Sequence, residues 1–293
     1  MTSIAADAPQ SLSPAGRTGR RRIVGPVVMF VVAITTLYPL LYVVQTALKT
    51  QRDYNQDRLG LPLDPTFDNL RRVLGVSDFG NYIVNTFIVT VPLVVVGTVL
   101  GCMCGFALVH LRFPGRRLLN KLVIALMLLP TTVLILPTFD VLLDLGLLNS
   151  YLGLIAVYVS VILPSATFLM AAFFVGVPRE LLDAARIDGA GLLRTFGTIA
   201  LPLARPGLFT LIVLCFLQLW NEFVFSLIVL QLPEQRTLTV GLALLRSSVT
   251  SGLTEGQDTL LAAGMLVTAL VPMAVFVLFS RRLAVGLAVG AMK

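Results

Sequence analysis

The chain reads as an all-α membrane protein: six transmembrane helices with both termini in the cytoplasm. Composition is the first reason. Of 293 residues, 57% are hydrophobic and 13% charged, with mean hydropathy +0.91, values that belong to the membrane class. The second is the length of the uncharged runs, 23–48, 79–111, 122–139, 145–178 and 259–280, with a sixth, 206–233, carrying only Glu222. Each is near or above the roughly 18–20 residues a helix needs to cross hydrocarbon. The third is charge placement. Arg17, Arg20, Arg21 and Arg22 precede the first run. Arg112, Arg116, Arg117 and Lys121 fill the connection after the second, with no acid among them, and Arg281, Arg282 and Lys293 follow the last. Connections 49–80, 140–150 and 232–258 are mixed or acidic instead, the alternation the positive-inside rule requires for two cytoplasmic termini. The net charge of +7 therefore marks orientation in a lipid bilayer, and no nucleic-acid partner is expected.

Taken in order, residues 1–22 are rich in Ala, Ser, Pro and Gly and then basic, a disordered cytoplasmic tail. The next run is too long for a removed signal peptide, so the membrane domain occupies 23–280, beginning with a span at 23–48 that holds Pro26 and Pro39. The connection 49–80 opens on Lys49-Thr50 and carries turn signals through Pro62 and Pro65, then Leu70-Arg71-Arg72-Val73-Leu74, an ordered external loop with a short surface helix. The second span begins with Asn81 and Asn85-Thr86 at its external boundary. It ends at His110, an interfacial residue with no carboxylate near it in sequence to make a proton relay. The third, about 118–139, contains Pro130-Thr131-Thr132 and Pro137. Proline frees a backbone carbonyl that threonine hydroxyls can satisfy, so this span is expected to bend or to line a polar cavity. The fourth, about 151–177, restarts after Gly146 and Asn149-Ser150 and holds Pro164. Cys102, Cys104 and Cys215 lie inside spans without CxxC spacing and read as small packing residues.

The stretch 178–206 is charged and helix-like, yet enclosed between spans. Pro178 suits a first helical position, with Glu180 and Asp183 in the turn where the helix dipole favours negative charge. Ala184 and Ala185 leave a shallow surface for a partner's groove. Asp188-Gly189-Ala190-Gly191 is a turn. Leu192, Leu193, Phe196, Ile199 and Ala200 recur at helical spacing, an apolar face expected to lie against the bundle, and Leu201-Pro202 ends it. Asp183-Ala184-Ala185, then three residues, Gly189, nine residues, Ile199, one residue and Leu201-Pro202 resembles the EAA loop of ABC-importer permease subunits, with Asp in place of the first Glu. The resemblance implies a type I importer permease fold. It also implies that 178–206 contains a coupling helix docking on a cytoplasmic ATPase, with Glu180, Asp183, Ala184, Ala185, Asp188, Gly189, Ile199, Leu201 and Pro202 at the coupling site.

The fifth span, 206–233, contains Gln218-Leu219-Trp220-Asn221-Glu222-Phe223. An ionisable residue inside a span faces a cavity or a partner; counted from Gly207, Glu222 lies roughly 22 Å along a continuous helix, a depth suited to the floor of an outward cavity. Carbohydrate hydroxyls need groups that donate and accept, with a flat apolar face for the ring. Gln218, Asn221 and Trp220 supply those types, and packing and interhelical bonding explain them equally well. With Glu222, Thr131, Thr132 and Asn85 they are the substrate-pathway candidates. Residues 232–258 form an amphipathic external segment, and the sixth span, 259–280, holds Pro272. The W-N-E-F stretch, the Lys49-Thr50 pair and Pro…Phe…Asn stretch of the first external loop, and the Arg281-x-x-x-x-Gly286-Leu287-x-x-Gly290-Ala291-x-Lys293 ending resemble sugar-importer permeases of the maltose type, over nearly all the chain beyond residue 22. That implies a cytoplasmic C-terminal tail, 281–293, lying against the ATPase dimer.

The function so implied is that of one transmembrane subunit of an ATP-driven importer for an oligosaccharide or related polyol compound. It is not an enzyme, since no Walker A loop, metal cluster or nucleophilic triad is present. It binds no cofactor itself, ATP and Mg²⁺ belonging to the partner. The partners implied are an ABC ATPase dimer, a second homologous permease subunit and an extracytoplasmic solute-binding protein. The alternatives are an ion-coupled secondary transporter, for which Glu222 alone offers thin chemistry, and an ABC permease for a non-sugar solute.

Overall fold

In the computed structural model, residues 18–76, 78–251 and 257–291 are described, and the described residues are helical with short turns between them. In order the helices are α1 (Thr18–Ala47), α2 (Gln51–Gln56), α3 (Asp68–Val76), α4 (Phe79–His110), α5 (Arg116–Met127), α6 (Ile135–Asp144) and α7 (Tyr151–Phe174). There follow α8 (Arg179–Ile187), α9 (Leu192–Thr195), α10 (Leu201–Leu203), α11 (Arg205–Trp220), α12 (Val224–Val229), α13 (Leu238–Thr250) and α14 (Gln257–Ala291). Helix α1 starts at Thr18, five residues inside the expected tail, whose residues 1–17 lie outside the described part. Helix α14 runs without interruption through 281–291 of the expected C-terminal tail, whose last two residues are also outside it.

Four described helices are long and apolar enough to cross a membrane unbroken, and the number reaches six if each of two bent pairs, Arg116–Met127 with Thr131–Asp144 and Leu192–Leu203 with Arg205–Trp220, is one span. The expected third span is one bent pair. Helix α5 stops at Leu128–Pro130, a single 3₁₀ turn occupies Thr131–Leu134, and the axis swings by 97° before α6 continues. Proline excludes the helical region for Leu129 and offers no N–H, while its own carbonyl accepts from the Val133 amide at 3.1 Å. The fifth span also differs from expectation. Helix α11 ends at Trp220, a turn covers Asn221–Phe223, and α12 begins at Val224. Its 16 residues give about 24 Å at 1.5 Å per residue, short of a hydrocarbon core about 30 Å thick. The path of Glu222 is thus a break, not the side of a continuous helix.

Glycine sets the central packing, in which α4 lies along α7. A Cβ at Gly101 would come within 2.7 Å of the Ala166 Cβ, and one at Gly105 within 2.8 Å of the Ala171 nitrogen. Where lipid supplies no hydrophobic drive between helices, small residues four apart let backbones approach this closely. The pair and α11 bury Leu93, Phe106, Ile162, Met170, Phe174 and Leu211. Helix α14 packs on α11 and α1 on α14, leaving residues 25–41 of α1 exposed.

The segment 47–69 is a polar knot. Lys49, fully buried, donates from Nζ to the Asp57 carbonyl at 2.6 Å; Asn69 donates to the Ala47 and Lys49 carbonyls at 2.9 and 2.7 Å, and its Oδ1 accepts from the Thr259 hydroxyl at 3.3 Å. Thr50 caps α2 by accepting from the Asp53 amide at 3.1 Å. These residues tie the end of α1 to α2, α3 and the start of α14, which explains why Lys49-Thr50 and Asn69 stand where they do.

Candidate functional site

Two regions of the bundle bring the candidate residues together, one at each end. At the end reached by the C-termini of α4 and α7, α8 leaves the bundle as an amphipathic helix. Leu182 and Ala185 point inward, 3% and 7% exposed. Its termination is a Schellman motif: the Ala190 amide donates to the Ala185 carbonyl at 2.9 Å and the Gly189 amide to Arg186 at 3.1 Å, with Gly189 at φ +80°. That left-handed conformation is why glycine follows Asp188. Glu180, Asp183, Ala184 and Asp188 are exposed, with Asp183 paired to Arg186 at 3.2 Å.

The structure corrects two expectations here. Ala184 and Ala185 do not form one shallow surface, because successive helical residues diverge and only Ala184 faces outward. Leu192 and Leu193 do not lie against the bundle; they are exposed, Leu193 by 73%. Phe196, Ile199, Ala200 and Leu201 do pack on the core, and Phe196 meets Phe106 and Phe174 at ring-centroid distances of 5.2 and 6.2 Å. Phe196–Ala200 forms a π-helical turn just before Pro202, a widening that suits a residue unable to donate to the preceding turn. Sequence reading missed Leu181 and Ile187, the latter 87% exposed. A helical wheel anchored on Leu182 and Ala185 places Ile187 on the opposite face beside Ala184, with Leu181 at the edge between the two faces.

Toward the other end, a pocket of about 250 Å³ opens at the two helix breaks, lined among others by Thr131, Thr132, Tyr158, Gln218, Asn221 and Glu222. Five of the seven pathway candidates therefore converge. Tyr158, seven residues along α7 from Tyr151, sits about 10 Å into the bundle at 1.5 Å per residue. Its hydroxyl is buried without a hydrogen-bond partner, and no local signal marks it, because it lies in a long apolar run. Glu222 is not a free charge on a helix wall. Its carboxylate accepts from the Phe225 and Ser226 amides at 2.8 and 2.9 Å, capping α12 at its positive end, while its carbonyl accepts from the Thr239 hydroxyl.

Two candidates are placed elsewhere. Trp220 is 1% exposed, its indole N–H donates to the Thr268 carbonyl at 3.0 Å, and Phe87 and Phe216 flank the ring, so no face remains for a sugar. Asn85 donates to the Glu234 and Arg236 carbonyls at 2.8 and 3.0 Å and accepts from the Tyr151 hydroxyl at 2.8 Å. With both its amide groups engaged it fastens the turn before α13. Both are polar residues at a wet-looking boundary that packing claims first.

A multi-pass helical bundle with two broken spans, a polar pocket at the breaks and an amphipathic helix standing off one end defines a membrane permease component rather than a catalyst. The chain belongs to the family described as binding-protein-dependent transport system inner membrane component, whose model matches residues 97–288; it is thus a multi-pass protein of the cytoplasmic membrane and an ABC-importer permease. The diacetylchitobiose uptake system permease protein NgcG of Streptomyces coelicolor is 33% identical over 252 residues, covering 86% of this chain and 82% of the relative. The trehalose transport system permease protein SugB of Mycobacterium tuberculosis is 32% identical over 258 residues, covering 88% and 92%. A crystal structure of a bacterial ABC transporter involved in the import of the acidic polysaccharide alginate contains a chain that superposes with a TM-score of 0.79 at 25% identity, covering 94% of this chain and 99% of that one.

Proposed function

We propose that this chain is one of two transmembrane subunits of an ATP-driven importer for a neutral oligosaccharide or related polyol, coupled to a cytoplasmic ATPase dimer through α8. The observation that carries the coupling is the outer face of α8. Leu181, Ala184 and Ile187 are exposed apolar residues on one arc of α8, which Glu180 and Asp188 share at its two ends, and Leu192 and Leu193 are exposed on the next helix; a groove on a soluble partner would bury them. The inner face, through Leu182 and the Phe196–Phe106–Phe174 contacts, links that helix to the core. Closure of the ATPase dimer on ATP then moves α8 with its groove and biases the bundle between inward-open and outward-open states. ATP and Mg²⁺ reside in the ATPase, and an extracytoplasmic binding protein delivers the solute.

The solute class follows from the pocket at the helix breaks. Thr131, Thr132, Gln218, Asn221 and the unpartnered Tyr158 hydroxyl supply donors and acceptors, and no Arg or Lys lines it. A phosphate ester or uronate would meet no countercharge on this wall, whereas a neutral polyhydroxylated solute needs none. The relatives handling diacetylchitobiose and trehalose support the same reading.

Co-purification tests the coupling. The variant Ile187→Asp, Leu193→Asp should insert and melt like wild type yet lose most ATPase association, because each apolar side chain contributes about 1.5–3 kcal/mol when buried. Undiminished association would contradict the assignment of α8.

A further inference from the structure

Where α4 ends, a second and larger cavity of about 670 Å³ lies between the residues 110–113 and one face of α8. One wall is His110, Leu111, Arg112 and Phe113; the other is Arg179, Leu182, Asp183 and Arg186, spaced at three, four and seven residues along the helix. Three guanidinium groups meet one carboxylate, and that carboxylate is already paired with Arg186 at 3.2 Å, so the cavity holds a surplus of two positive charges. His110 adds an incomplete hydrogen-bond set. Its Nε2 bonds to the Phe174 carbonyl at 2.9 Å, which makes that nitrogen the donor, and its Nδ1 is enclosed without a partner. With Nε2 donating, Nδ1 of the neutral ring is an acceptor, so an anion here is held by the guanidinium groups and not by His110.

We propose that this corner binds the phosphate group of an anionic ligand, and that in the membrane the ligand is the headgroup of an anionic phospholipid. Guanidinium forks match phosphate oxygens in pairs. The cavity sits where the apolar run of α4 gives way to Arg112, Arg116 and Arg117, the depth at which headgroups lie, and basic pockets between transmembrane helices hold such headgroups. Leu111 and Phe113 offer apolar surface to the glycerol and upper acyl region. A bound lipid would bridge the end of α4 to α8. The proposal does not depend on ATPase coupling, because its test needs no partner.

Native mass spectrometry and lipid titration of the purified full chain test it, with phosphatidylglycerol, phosphatidylcholine and inorganic phosphate as probes. Phosphatidylglycerol should remain bound where phosphatidylcholine does not. Arg112→Gln with Arg179→Gln should weaken it by about tenfold or more, whereas Arg117→Gln with Lys121→Gln, outside the cavity, should not. Retention by Arg112→Lys with Arg179→Lys separates lost charge from misfolding. Displacement by millimolar inorganic phosphate would keep the anion site but overturn the lipid as its occupant. Equal binding of phosphatidylcholine, wild-type affinity in the Arg112/Arg179 glutamine variant, or equal loss in the Arg117/Lys121 variant would overturn the site.

Discussion

A hydroxyl without a partner is the most informative single group on the solute side. Tyr158 lines the pocket at the helix breaks with its oxygen buried and unbonded, and a buried donor left unmade costs about 1–3 kcal/mol. A solute hydroxyl that satisfies it recovers that energy. Tyr158→Phe should therefore raise the KM for uptake by about tenfold while ATPase association stays unchanged, measured by uptake and pull-down on the same preparation; an unaltered KM removes Tyr158 from the pathway. A second residue-scale effect is titratable. The amides of Gly60 and Leu59 donate to the Asp57 carboxylate at 2.9 and 3.0 Å and hold its pKa below the usual carboxylate range, with Lys49 assisting. Because the folded value is depressed, this contribution to the loop is present above the ordinary carboxylate pKa, about 3.9, and is lost as pH falls through the folded value. Hydrogen exchange of the Gly60 and Leu59 amides should show protection that disappears on acidification in wild type; in Asp57→Asn the acid-dependent step should be absent.

Elements fail or hold by their ends and their seams. Helix α12 has six residues and starts in the interior, so the Glu222 carboxylate that accepts its Phe225 and Ser226 amides decides whether it forms. Glu222→Ala should destabilise the protein by about 0.5–2 kcal/mol, the cost of a lost cap, with Glu222→Gln milder; a Glu222→Ala protein with unchanged Tm would show that the break is held by other contacts. The α4–α7 seam is less tolerant, since Gly105→Leu drives a side chain into the Ala171 backbone and should cost about 1–3 kcal/mol or prevent assembly. How far these elements were legible depends on what each residue signals locally. Pro130 announced its bend, because a missing N–H and a restricted neighbour act on the chain itself. The break at Asn221–Phe223 carried no proline or glycine, and only the unusual sequence Trp-Asn-Glu-Phe hinted at it; Glu222 looked like a buried charge because its role as a cap depends on a helix end that periodicity does not mark. Trp220 and Asn85 are open to two readings in the sequence for a related reason. Aromatic and amide groups serve solute or structure equally well, and the partners that decide, the Thr268 carbonyl and the Glu234 turn, lie 48 and 149 residues away.

At the scale of the molecule, hydropathy alone marked the apolar helices, four of them continuous and up to six with each bent pair as one span, and the residues from Pro178 to Gly191 marked where α8 begins and ends. Which face of α8 is free required the fold, because inward and outward leucines are chemically identical. In the proposed function, the pocket at the broken helices receives solute and is joined through the α4–α7 core to the exposed face of α8. The central claim is that energy enters at α8 from an ATP-hydrolysing partner. The most direct measurement is uptake of a labelled neutral disaccharide, such as trehalose or diacetylchitobiose, into vesicles carrying the whole importer and its binding protein, with the ATPase intact or with its catalytic carboxylate neutralised. Accumulation above the external concentration that vanishes with the inactive ATPase and with Ile187→Asp, Leu193→Asp is the predicted result; accumulation that survives both, driven by an ion gradient, would contradict it.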